Sequence, residues 1–112
     1  MLDLLTETAA ADTELLRSND ELGDDFTAPR DVDFSFETRE RERADDFARF
    51  VNGKQYGVAN VGELESGQFR VLVVIKMPIT QHLICSVSGF MLCLSRIFQI
   101  DYQGWGSVVQ KP

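Results

Sequence analysis

At 112 residues, 44% hydrophobic and 26% charged, the chain has the makeup of one globular domain and is too short for two independent cores. Eighteen acidic against 11 basic side chains leave a net charge of −7, which argues against a nucleic-acid binder held by phosphate neutralisation. No basic-then-apolar leader and no unbroken apolar run of about 18 residues is evident, so neither secretion nor membrane contact is expected and a cytoplasmic location is.

Residues 1–22 read as a helix, with Leu5, Ala9, Leu15, Leu16 and Leu22 at roughly helical spacing between acids. The pattern weakens at Ser18-Asn19-Asp20, where short polar side chains compete for backbone hydrogen bonds. There Ser18 and Glu21 have the spacing of a capping box that would restart a short helix. Gly23 is the expected stop. The single domain over 1–112 is thus expected to comprise an acidic N-terminal helix (1–23), a linker (24–29) and a folded unit from 30 to 109.

Within that unit, Arg30 to Glu37 alternates: Val32, Phe34 and Phe36 face one way, Asp31, Asp33, Ser35 and Glu37 the other, as in a strand with one buried face. Thr38 is the expected N-cap of a helix running to Asn52, with Ala44, Phe47, Ala48 and Val51 as its apolar stripe and Gly53 as its end. Charge pairs are expected on its outer side, Asp45 with Arg49 and Glu40 with Arg43. Tyr56–Val61 reads as a short strand, Gly62–Gly67 as a turn, and Phe69–Lys76 as a central strand apolar on both faces and ended by Pro78. Thr80 is the expected cap of a third helix reaching Phe98, with Ile84, Val87, Met91, Leu94 and Phe98 in its stripe and Leu83, Phe90 and Ile97 widening it. Ile100–Val109, interrupted by Gly104 and Gly106, is the last strand.

The order helix, then β-α-β-β-α-β specifies an α+β, ferredoxin-like sandwich: a four-stranded antiparallel sheet with both later helices on one face. Leu72 and Val74 would lie on the other face, for which the first helix is the candidate cover. An RNA-recognition module shares this strand order. It would need aromatics on the open face, whereas Phe34 and Phe36 share the helix-facing side and acids stand opposite. No direct contact with nucleic acid is therefore expected.

Charge is unevenly placed. Residues 1–37 hold 11 acids and two bases, a net −9, and the remainder, with 7 acids and 9 bases, carries +2. Such an arm repels phosphate and attracts basic protein segments. Chemistry-bearing patterns are sparse. His82 is the single histidine, Cys85 and Cys93 are eight apart and expected as free, core-buried thiols, and no nucleophile elbow, phosphate loop, dinucleotide fingerprint or metal-ligand spacing occurs. No enzymatic activity, cofactor or metal is expected. Tyr102-Gln103-Gly104-Trp105-Gly106 sets the only tryptophan between two glycines. Its ring could lock the last strand or meet a partner.

That closing segment, Ile100-Asp101-Tyr102-Gln103-Gly104-Trp105-Gly106, resembles the Tyr-Asp-Gly-Trp-Gly strand of the family of the regulator of ribonuclease E activity B, with Gln103 where the family usually has Asp. Phe47…Gly53…Tyr56-Gly57-Val58, the Phe69-Arg70-Val71 strand and the acidic leading helix are similar to the same family. The resemblance implies a ferredoxin-like, non-catalytic protein inhibitor that binds ribonuclease E, notably its scaffold region, and so modulates RNA decay. Family members often continue into a strongly acidic tail; here residues 1–37 are expected to supply that charge. The candidate contact residues are Asp20, Glu21, Asp24 and Asp25 with Tyr102 and Trp105. The alternative is a ferredoxin-like homodimer, joined through the broad apolar stripe of the third helix, that binds an unknown small ligand or partner.

Overall fold

The computed structural model describes all residues, 1–112. The alternating segment Arg30–Thr38 forms β1, whose Val32, Phe34 and Phe36 are fully buried. α1 (Leu2–Glu21) precedes it, and α2 (Arg41–Gly53), β2 (Val58–Glu63), β3 (Phe69–Met77), α3 (Gln81–Phe98) and β4 (Asp101–Ser107) follow. All pairings are antiparallel and the sheet order is β2-β3-β1-β4, the ferredoxin-like arrangement expected from the element order. Apolar β1 and β3 take the two central places, where both edges of a strand are paired.

α2 packs over β2 and β3 through Ala44, Phe47, Ala48 and Val51, the stripe read from its spacing. The Phe47 ring lies 4.5 Å from Phe36 and 5.4 Å from Phe98, so one aromatic cluster joins the sheet to both later helices. Edge-on and tilted contacts of this kind add stability beyond area burial. Gly57, entering β2, crosses β3 so closely that a Cβ there would stand 2.8 Å from Val73 and 2.9 Å from Ile75.

Several local expectations are corrected. α1 runs unbroken to Glu21, and Ser18 donates to the Glu14 carbonyl instead of capping a new helix. Thr38 pairs with Phe69 in the ladder, so α2 starts later, with Glu40 at its N-cap; Thr38 Oγ1 accepts from the Glu40 N–H at 3.2 Å. Arg49 pairs with Asp46 at i,i+3 and Asp45 with Arg41 at i,i+4, so both members of the expected Asp45–Arg49 pair are engaged by other neighbours; Glu40–Arg43 forms as expected. Thr80 occupies the α3 N-cap without a side-chain bond, and both cysteines are half-buried. α3 as a whole, with 18 residues and one charged side chain, has the length and composition to cross a membrane, contrary to the reading of unbroken apolar runs. Here it packs on the sheet and α1.

The largest departure concerns α1. It does not cover the open sheet face, where Leu72 and Val74 remain partly exposed. It lies alongside α3 and touches β4, with Leu5 against Gly89. Its buried residues are Asp12, Leu16 and Asn19, two of them polar: Asp12 is bonded by Ser88 of α3 and Trp105 of β4, and Asn19 donates to Asp24 just beyond the helix.

Candidate functional site

The acidic residues singled out in the sequence separate into two kinds. Asp20 and Glu21 are exposed on the last turn of α1 and form no ion pair. No basic side chain neutralises that turn, although the negative end of the helix dipole already lies there. Like-signed charge at a helix C-terminus is unfavourable within the chain and favourable toward an external cation. Leu22 then caps the helix, and Gly23, at φ +82°, turns the chain.

Asp24 behaves differently. Its side chain is fully buried and both oxygens accept from Arg30 Nη1 at 2.7 Å. Asn19 Nδ2 and the Gln110 N–H complete its shell. Arg30 in turn donates to the carbonyls of Ala28, Asp25 and Val108. Asp24 therefore ties the end of α1, the start of β1 and the segment after β4 together, and its charge is not offered to a partner. Asp25, half-buried, accepts from the backbone and hydroxyl of Thr27, which with the Arg30 charge holds its carboxyl below the usual range and so keeps it ionised.

Tyr102 and Trp105 point inward. Three positions apart, they would face opposite ways in a regular strand. Between them β4 carries an extra residue: Ser35 pairs with Gly104 while Phe36 pairs with Tyr102, so Gln103 is a bulge, and Gly104 adopts φ +110°. The bulge returns Trp105 to the core face. There its indole N–H donates to Asp12 Oδ1 at 3.0 Å. Ser88 donates to the same oxygen at 3.1 Å, and the Tyr102 hydroxyl lies 2.8 Å from Ser88 Oγ. Because the Ser88 proton is engaged, the Tyr102 O–H donates to Ser88. Burial raises the Tyr102 phenol and keeps it protonated. Both ring systems thus serve to hold α1 and α3 to β4 rather than to meet solvent.

Nothing in the sequence singles out Asp12, which is one of six acids in a solvated-looking helix. Burial raises its pKa against the opposing bonds from Ser88 and Trp105, and its Oδ2 has no protein partner. Its one sequence signal is its spacing from Leu16 and Asn19, the other buried residues of α1. Burial, together with the Asp12 charge, also pushes the Cys85 thiol up, against a bond from Thr13. That disfavours the thiolate needed for nucleophilic chemistry. His82 is exposed at the start of α3. No group of three or more His, Cys, Asp or Glu side chains is placed to hold a metal. A cleft of about 480 Å³ at the β1–α2 junction is lined wholly by polar and charged residues and pairs Glu40 with Arg43.

These features define the class: a ferredoxin-like α+β protein that turns its aromatic strand inward and offers charged surface to its surroundings. The chain belongs to the family described as regulator of ribonuclease activity B, whose model matches residues 9–107. The match begins within α1 and closes with β4, and so includes Asp12, Asp24, Arg30 and Trp105. Membership implies regulation of ribonuclease activity through interaction with a ribonuclease. The comparison with curated proteins gives no significant match.

Proposed function

We propose that this protein is a non-catalytic, cytoplasmic inhibitor of ribonuclease E that binds the scaffold region of the nuclease and thereby modulates RNA decay. The observation that carries this reading is the family match over residues 9–107. The unneutralised carboxylates Asp20 and Glu21 at the end of α1 support it, because they suit a cationic polypeptide and disfavour RNA itself. The raised Cys85 thiol and the exposed, isolated position of His82 fit regulation by contact rather than by bond-making.

Binding to a scaffold fragment of ribonuclease E, measured by calorimetry across a salt series, tests the proposal. The Asp20→Asn/Glu21→Gln variant is expected to bind between about twofold and thirtyfold more weakly at low salt, since exposed ion pairs contribute about 0.2–1 kcal/mol each. Its affinity should also vary less with salt. Absence of binding by the wild-type chain would remove the proposal. Binding unaltered in the variant would move the contact away from α1.

A further inference from the structure

α3 has a second apolar face, directed away from the sheet. Leu83, Ser86, Phe90, Cys93 and Ile97 follow one another at alternating steps of three and four, the spacing of a helix–helix seam. The fold covers it only in part: Leu83 is 37% exposed, Phe90 42% and Ile97 72%. Tyr56 stands edge-on to Phe90 at 5.2 Å and widens the apolar surface. α1 meets α3 elsewhere, at Gln81, Ser88 and Gly89, and α2 reaches it through Phe50 and Phe98.

Charge and spacing both select a second copy of this chain as the occupant. The chain carries 18 acids against 11 bases, so two copies repel across most of their surfaces. α3 contains no carboxylate, and Arg96 is its only charged side chain at neutral pH. Along the seam, Leu83 and Ile97 lie seven residues to either side of Phe90. A two-fold axis at Phe90 with antiparallel helices sets Leu83 against Ile97 of the second copy and Phe90 against its own counterpart, as an isologous interface requires. Ser86 and Cys93, small residues between the large ones, let the helices approach. The Gln81 end of α3 touches Thr13 of α1. Antiparallel pairing therefore carries the two acidic α1 termini toward opposite ends of a seam about 21 Å long; parallel pairing would bring them together.

We propose that the Leu83–Phe90–Ile97 face of α3 is the interface of a two-fold homodimer with antiparallel α3 helices. This surface is separate from Asp20 and Glu21 and does not depend on ribonuclease binding. Sedimentation equilibrium at tens of micromolar should give twice the 12.6 kDa chain mass. Ile97→Glu and Leu83→Lys should each sediment as monomers with unchanged circular dichroism, since both side chains are exposed at the start. An equimolar mixture of these two variants should recover dimer, because antiparallel pairing places the new lysine against the new glutamate. A wild-type monomer, including one that partitions onto lipid vesicles or captures another protein instead, overturns the proposal. Dimers persisting in both variants overturn the choice of face. Failure of the mixture to associate overturns the antiparallel geometry.

Discussion

Two carboxylates from the N-terminal third are buried, and the chain handles them in opposite ways. Asp24 meets a guanidinium with both oxygens and gains an amide and a backbone N–H besides. Asp12 meets only neutral donors, both on one oxygen, and the other oxygen is without a partner. The first arrangement retains a charge by surrounding it. The second raises the pKa and favours the protonated acid. Each joins α1 or the segment after it to the sheet, so together they hold the acidic helix in place while leaving Asp20 and Glu21 free.

Removing one member of the Asp24–Arg30 pair should have the largest effect. Arg30→Met leaves a buried, unpaired carboxylate and is expected to lower stability by about 3–5 kcal/mol in urea titrations. Adding Asp24→Leu should recover much of that loss, because the stranded charge is then gone. A double variant no more stable than the single one would mean that Arg30 acts mainly through the carbonyls of Ala28, Asp25 and Val108.

The Asp12 cluster depends on the β4 bulge. Gly104→Ala forces a side chain to φ +110° in open space, so only backbone strain opposes it, about 1–3 kcal/mol. Thermal melts should register that cost. The emission of the single tryptophan should shift to the red if Trp105 loosens from Asp12. An unaltered melting temperature would show that β4 keeps its register without glycine.

The smallest effect sharpens the contrast most. Because the folded pKa of Asp12 lies above its ordinary value of 3.8, ionisation weakens the fold. Its contribution is fully present below pH 3.8 and is lost as pH rises to the folded value. Asp12→Asn should therefore be slightly more stable than wild type at neutral pH, with the difference closing as pH falls toward 3.8. A difference that does not change with pH would mean that the carboxylate keeps its charge.

Periodicity made most of the fold legible. Period two in Val32, Phe34 and Phe36 and the helical stripe Ala44, Phe47, Ala48 and Val51 report burial directly, because apolar side chains have one favourable destination. Polar residues have two. Nothing local distinguishes Asp24, which is paired with Arg30 inside, from Asp20, which is exposed. Asp12 is defined by Trp105, 93 positions away. The direction of Trp105 was hidden for a related reason: counting by two along β4 fails at the bulge, which Gly104 signals without saying which residue is extra. The exposed carboxylates Asp20 and Glu21 are legible as charge, and the inward-turned aromatics are not legible as structure.

The backbone N–H of Gln110 bonds Asp24, and the Asp25 N–H bonds the Gln110 carbonyl, so the chain's last residues leave the body beside the end of α1. Met1 lies at the other end of that helix, about 30 Å distant. An affinity tag or fluorophore fused after Pro112 would crowd Asp20 and Glu21. The same label fused before Met1 would leave them clear, so where the tag is placed decides whether a binding assay reports on the acidic surface or on its obstruction.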